Sequence, residues 1–212
     1  DADPLSLYSR INPEQNCVDL SDQEWVSRMD PIVLPGVSYN DKVYGIQFPG
    51  TRVSACVYNK DIFADLGLEV PRTYEDFKAV CQAIKDSGKT PLYEACQNGW
   101  HQVLPLFETG SYYVTLYDDL YDKLNKNEMK ITEVTEIRTI LGQMKECADL
   151  GYFGTDFLSQ SVEGGVDAFG TGQAAMMYQS MDWIDEVINA YPEMDGKLGI
   201  FCLPWADNQS VS

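Results

Sequence analysis

A strand that runs straight into a capped helix, breaks, and starts a second capped helix leaves few architectures open. The stretch "VSACVYNKDIFADLGLEVPRTYEDFKAVCQAI" (Val53–Ile84) has that form. Val53, Ala55 and Val57 alternate as one face of a strand. Asn59 is a cap for the short helix "KDIFADL", and Gly67 stands where a left-handed residue closes it. Pro71 forbids continuation. Thr73, with Asp76 three residues on, is a capping-box start. Phe77, Val80, Cys81 and Ile84 then recur at i, i+3, i+4 and i+7, an apolar stripe on a helix that stops at Gly88.

The alternation continues along the chain. "KVYGIQF" (Lys42–Phe48), "TPLYEA" (Thr90–Ala95) and "KLGIFCLP" (Lys197–Pro204) are strand candidates. "WHQVLPLFE" (Trp100–Glu108) predicts a helix kinked at Pro105. "DLYDKLN" is a short polar helix. A long helix is expected over Thr132–Leu150, with Val134, Ile137, Leu141, Met144 and Ala148 on one side and Gly151 as its stop. "VDAFGTGQAAMMYQ" reads as a helix end, a glycine turn and a strand, and "DWIDEVINAY" as a further helix. Residues 1–40 are irregular, punctuated by Pro4, Pro13, Pro31, Pro35 and Gly36, with Ser21 expected to cap one short helix in "LSDQEW". Strands alternating with helices imply an α/β layer architecture.

Composition limits the partners. The chain has 33 acidic and 15 basic residues, a formal charge of -18. Phosphate binding needs a concentrated basic surface, so neither a nucleic acid nor an anionic membrane surface is expected as a partner. No run of about 18 apolar residues predicts a transmembrane helix, and "DADPLSLYSR" has no signal-peptide form. The six cysteines are scattered without a CxxC pair, so no metal is expected; they read as buried reduced thiols, with a disulfide framework as the alternative.

Two motifs invite chemistry and fail on context. "GTGQAA" (Gly170–Ala175) fits a dinucleotide pattern, but it follows a helix and precedes a strand, the reverse of what pyrophosphate binding needs. It reads as a glycine helix stop. His101 is the sole histidine, no G-x-S-x-G elbow accompanies it, and it is expected on a helix surface or pocket edge. Trp100 and Trp183 each follow a predicted strand, where open α/β sheets bind ligands. An indole there can stack on a sugar ring, or it can be a core anchor; position alone leaves both open.

In order and spacing the pieces from Val43 to Pro204 resemble one family, the extracellular solute-binding proteins of ABC importers, in the sugar-binding group that includes maltose-binding protein. "VYGIQFPGTRVSACVYNKDIFADLGLEVPRTYEDF" resembles that family's crossing strands, Tyr-Asn-Lys-Asp element and Pro-x-Thr helix start. "ILGQMKECADLGYF", "AFGTGQAAMMYQSMDWI" and "GIFCLP" resemble its later helix, strand and exit strand. The resemblance implies an α/β lobe of the type II periplasmic-binding-protein kind, a mixed sheet flanked by helices. Family members are about twice as long. The chain therefore reads as a fragment, with 1–42 a remnant of the first lobe, 43–204 the second lobe and 205–212 the return to the hinge.

The same resemblance implies a function. Sugar contacts fall before the strand entering the Tyr-Asn-Lys-Asp element, in the turn after the next strand, and after the Ala-Ala-Met strand. Those positions hold Thr51 and Arg52; Gln97, Asn98 and Trp100; and Asp182 and Trp183. The implied protein is a monomer without cofactor, not an enzyme. It captures a mono- or oligosaccharide and passes it to membrane permease subunits. Its implied location is the cell surface, held by an upstream lipid anchor, or the periplasm in a Gram-negative cell. An enzyme with an aromatic, carbohydrate-binding cleft and a ligand-sensing signalling module are the alternatives.

Overall fold

The computed structural model describes residues 10–31, 33–46 and 54–207. The chain divides into two compact units, Asp1–Thr51 and Arg52–Ser212.

The first unit is built from short elements: α1 (Pro13–Asn16), a 3-10 turn (Glu24–Arg28), α2 (Leu34–Val37), β1 (Ser38–Tyr39) and β2 (Lys42–Val43). β1 and β2 form an antiparallel hairpin whose two turn residues, Asn40 and Asp41, both have positive φ. Asn and Asp tolerate that conformation, which matches the strand twist. The strand expected over Lys42–Phe48 is only Lys42–Val43 among the described residues. Ser21 is not the expected cap. Its hydroxyl donates to Asp19 and accepts the Val43 N–H at 3.0 Å, while Gln23 precedes the 3-10 turn.

The second unit carries β3 (Ser54–Asn59), α3 (Lys60–Asp65), α4 (Tyr74–Asp86), β4 (Thr90–Leu92), a 3-10 turn (His101–Val103) and α5 (Leu104–Glu108). Then come α6 (Gly110–Leu116), α7 (Leu120–Asn125), α8 (Thr135–Asp149), α9 (Val162–Gly170), β5 (Ala174–Ser180), α10 (Asp182–Ala190) and β6 (Leu198–Phe201). The sheet order is β4-β5-β3-β6. β4 runs parallel to β5, whereas β3 is antiparallel to both β5 and β6.

Both faces of this sheet are covered. Successive strand residues point to opposite faces, and adjacent Cys56 and Val57 of β3 enter two different apolar clusters. One cluster gathers Phe77, Cys81 and Ile84 of α4 with Ile140 and Cys147 of α8. The other gathers Phe169 of α9 with Trp183 and Val187 of α10. A strand buried on both sides reads as a continuous apolar run, which is why "AAMMY" in β5 does not alternate.

Local signals hold where they are local. Asn59 Oδ1 accepts the N–H groups of Asp61 and Ile62 at 3.0 and 3.2 Å. Gly67 sits at φ 65°. Thr73 and Asp76 close a reciprocal capping box. Asn59→Ala is therefore expected to lower the unfolding free energy by about 1 kcal/mol, with Asn59→Asp nearly neutral. Equal denaturation midpoints for wild type and the alanine variant would refute that role.

Three expectations change. Pro105 does not kink a helix: a 3-10 turn ends at Val103, and Pro105 stands in the first turn of α5, where its missing N–H costs nothing. The long helix is split, a 3-10 turn at Ile131–Glu133 preceding α8. Its buried line runs through Ile137, Ile140 and Cys147, leaving Leu141 49% exposed. A 3.6-residue period lets either Ile140 or Leu141 join the stripe, and packing chose the former. All six cysteines are unbridged. Cys56, Cys81 and Cys147 are fully buried, and burial pushes the Cys147 thiol up to about 11.

Candidate functional site

The strand register brings scattered sequence positions to one end of the sheet. Ser54, which opens β3, lies opposite Ser180, which closes β5. Leu92 of β4 lies beside Met176 in parallel, and Phe201 at the end of β6 lies opposite Cys56. The start of β3 and the ends of β4, β5 and β6 therefore share one edge. Segments following β4 and β5 emerge there. Thr51 and Arg52 lie outside the described residues. At the opposite end, lysines tie down turns: Lys60 Nζ donates to the Gly196 carbonyl at 3.1 Å and Lys89 Nζ to that of Gly172 at 2.7 Å.

The segment after β4 is stitched into place by its own backbone and by the approach to α9. Asn98 N–H donates to Ala95 O at 3.0 Å and His101 N–H to Asn98 O at 2.8 Å. Gln97 N–H donates to Gln160 O at 3.0 Å. Asn98 Oδ1 accepts the N–H of Val162, the first residue of α9, at 2.9 Å. Asn98 thus uses its side-chain carbonyl on the scaffold, and its amide N–H groups meet no acceptor among the described residues. Gln97 is exposed. Trp100 is 50% exposed, with its ring edge-on to His101 at 5.5 Å.

His101 departs from expectation. It is fully buried, its Nδ1 is 2.6 Å from Glu94 Oε1, and its Nε2 is 3.0 Å from the Tyr178 carbonyl. Glu94 is itself buried. A solitary histidine in an acidic chain gave no sign of this, because the partner lies on the preceding strand exit and the second acceptor on β5.

The segment after β5 separates two adjacent expectations. Asp182 is exposed in the first turn of α10. Trp183 is 2% exposed and packs at right angles on Phe169, 5.0 Å between ring centroids. It has no face to offer a solute. Of the two tryptophans, Trp100 is the one at the surface.

Two features at this end were missed from sequence. Trp100, Val103 and Phe107 recur at i, i+3 and i+7, a spacing that signals a buried face; instead all three are exposed, Phe107 to 72%. Glu108, the next residue, turns inward. Its Oε1 accepts the Leu203 N–H at 2.8 Å, its Oε2 is buried without a partner among the described residues, and burial pushes its carboxyl up to about 8. Among the described residues no three His, Cys, Asp or Glu side chains come together as a metal ion requires. No helix among them is long and apolar enough to cross a membrane.

Comparison with known proteins gives this arrangement a context. The family model of bacterial extracellular solute-binding proteins matches residues 5–212. An uncharacterized ABC transporter extracellular-binding protein of Pyrococcus horikoshii, PH1039, is 27% identical over 205 residues, 94% of this chain and 43% of its own length. The multiple sugar-binding protein of Streptococcus mutans is 38% identical over 77 residues, 34% of this chain and 18% of its own. Among solved structures, RafE in complex with raffinose superposes with a TM-score of 0.67 at 21% identity, over 94% of this chain and 52% of that one. A solute-binding protein of Thermotoga lettingae bound with α-D-tagatose gives 0.68 at 15% identity, over 93% and 52%. At such identities the likeness is one of fold. The chain spans 43% of the Pyrococcus relative and 52% of each of these two solved chains.

Proposed function

The chain belongs to the bacterial extracellular solute-binding proteins, and on that premise we propose that it forms one wall of a carbohydrate site in the capture component of an ABC importer. The observation that carries the reading is Trp100, a half-exposed indole at the strand-end edge where open α/β sheets take ligands. Its face offers stacking to a sugar ring, and Gln97 and the amide N–H groups of Asn98 offer hydrogen bonds to hydroxyls. Asp182 belongs to the same proposal, as do Thr51 and Arg52. The sugar-binding relatives support the choice of solute.

The mechanism in this reading is closure of two lobes about the solute, which stabilises the closed state through contacts the open state lacks. No bond is made or broken. A monomer at the cell surface, held by a lipid anchor, hands the sugar to membrane permease subunits.

Calorimetry on the full-length protein with mono- and oligosaccharides, uronic acids included, tests this. Tight one-to-one binding is expected, with the sugar recovered intact. Trp100→Ala is expected to weaken it tenfold to thirtyfold, roughly 1.4–2 kcal/mol. Turnover of any sugar would replace the reading with an enzyme, and an unchanged affinity in Trp100→Ala would remove the indole from the site.

A further inference from the structure

The Glu94–His101 couple has a defined proton inventory. A backbone carbonyl only accepts, so the contact between Nε2 and Tyr178 O at 3.0 Å requires a proton on Nε2. Two lone pairs cannot face each other at 2.6 Å, so a second proton lies between Nδ1 and Glu94 Oε1; the Ala95 N–H also points at Nδ1, but at 3.4 Å it is much the longer contact. Whichever atom holds that proton, the couple is neutral as a whole and every polar atom of the ring is satisfied. A buried imidazole held at both nitrogens has one orientation.

That orientation passes directly to the surface. His101 is the neighbour of Trp100 in the chain and carries the indole edge-on against its ring. Glu94 and His101 bracket the segment that holds Gln97, Asn98 and Trp100. Tyr178 O belongs to β5, so the Nε2 bond fixes the segment to the centre of the sheet rather than to another loop. The backbone bonds of Asn98 and Gln97 set the path of the turn, but none of them touches the indole.

We propose that the buried Glu94–His101 couple is the positioning device for the Trp100 indole, holding an exposed aromatic face in one orientation before any solute arrives. Its consequence for solute affinity rests on the function proposed above; its consequence for the indole does not. Pre-organisation of an exposed ring saves the cost of ordering it on binding.

The test compares Glu94→Gln, Glu94→Leu and the double variant Glu94→Leu/His101→Leu in the full-length protein. Each is made with and without Trp100→Phe, so that difference spectra isolate Trp100. Time-resolved fluorescence anisotropy without solute reads the indole's nanosecond motion. In Glu94→Gln the amide donates to Nδ1 and the imidazole keeps its Nε2 proton, so a wild-type signal is expected, with affinity within about threefold of wild type. In Glu94→Leu and in the double variant the amplitude of local motion is expected to at least double, and affinity for the sugar bound by wild type to fall about tenfold or more. A role confined to stability would lower melting temperatures without this ordering of anisotropy. Wild-type anisotropy in a folded double variant overturns the proposal. Should the double variant not fold, equal anisotropy in Glu94→Gln and Glu94→Leu overturns it. If wild type binds no sugar, anisotropy still decides the positioning role, and only the functional reading fails.

Discussion

Raising the pH from 4.5 to above 8 is expected to remove roughly 5 kcal/mol of stability through Glu108 alone, and Glu108→Gln is expected to abolish that loss. Burial lifts the native carboxyl from its ordinary value of 4.5 to about 8. Between those values the unfolded chain has released the proton while the native state keeps it. The native state then binds more protons, so stability falls as pH rises. Each tenfold change in that equilibrium is worth about 1.4 kcal/mol, which over this interval gives roughly 5 kcal/mol. The loss is absent below 4.5 and complete above about 8. The groups around the carboxyl offer no relief: Cys56, Tyr178 and Cys202 are each pushed up by burial and stay uncharged at pH 8. Glutamine keeps an acceptor for the Leu203 N–H and cannot ionise. Denaturant unfolding of wild type and variant from pH 5 to 9 should give curves that diverge up to about pH 8 and hold a constant separation above it, the variant being the more stable at the alkaline end. Parallel curves would show that Glu108 ionises normally in the native protein.

Trp183→Ala is expected to cost about 3–5 kcal/mol of stability and to leave solute affinity unchanged in the protein that remains folded. The indole fills the space between α9 and α10 in a cluster with Val57, Met177 and Phe169, and truncating a buried aromatic leaves a cavity that the close-packed surroundings only partly fill. Trp183→Phe should cost much less. It keeps the right-angled contact with Phe169 and removes an indole N–H that meets no acceptor among the described residues. Trp100→Ala should behave in the opposite sense, costing affinity and little stability. Calorimetric affinity and denaturation midpoints measured on both variants separate the two tryptophans. Lost affinity with undiminished stability in Trp183→Ala would return that residue to the binding surface.

The contrast between these tryptophans marks where reading from sequence ended. Each follows a strand, and each begins a helical turn. What distinguishes them is tertiary packing. Trp183 meets Phe169 of α9 and is enclosed in that cluster, whereas Trp100 in the turn after β4 is half exposed. The same limit applies at α8, where Ile140 rather than Leu141 faces the core, and at the Trp100–Val103–Phe107 stripe, whose helical spacing describes a buried face that is exposed.

By itself the sequence determined whatever depends on neighbours a few residues apart. Asn59 and Thr73 start their helices because their side chains reach backbone N–H groups two or three positions on. Gly67 and Gly172 end helices because a left-handed turn there carries no Cβ penalty. The α/β alternation and the place of β3 followed from similarly short-range patterns, although the strand expected over Lys42–Phe48 did not extend past Val43 among the described residues. Only the tertiary structure decided burial and pairing between distant segments: Glu94 and His101 against the Tyr178 carbonyl, Glu108 against Leu203, and one tryptophan outward with the other inward. Those outcomes turn on which element covers which face, and desolvation, not local geometry, then sets whether a side chain there is a scaffold, a buried acid or a surface for a solute.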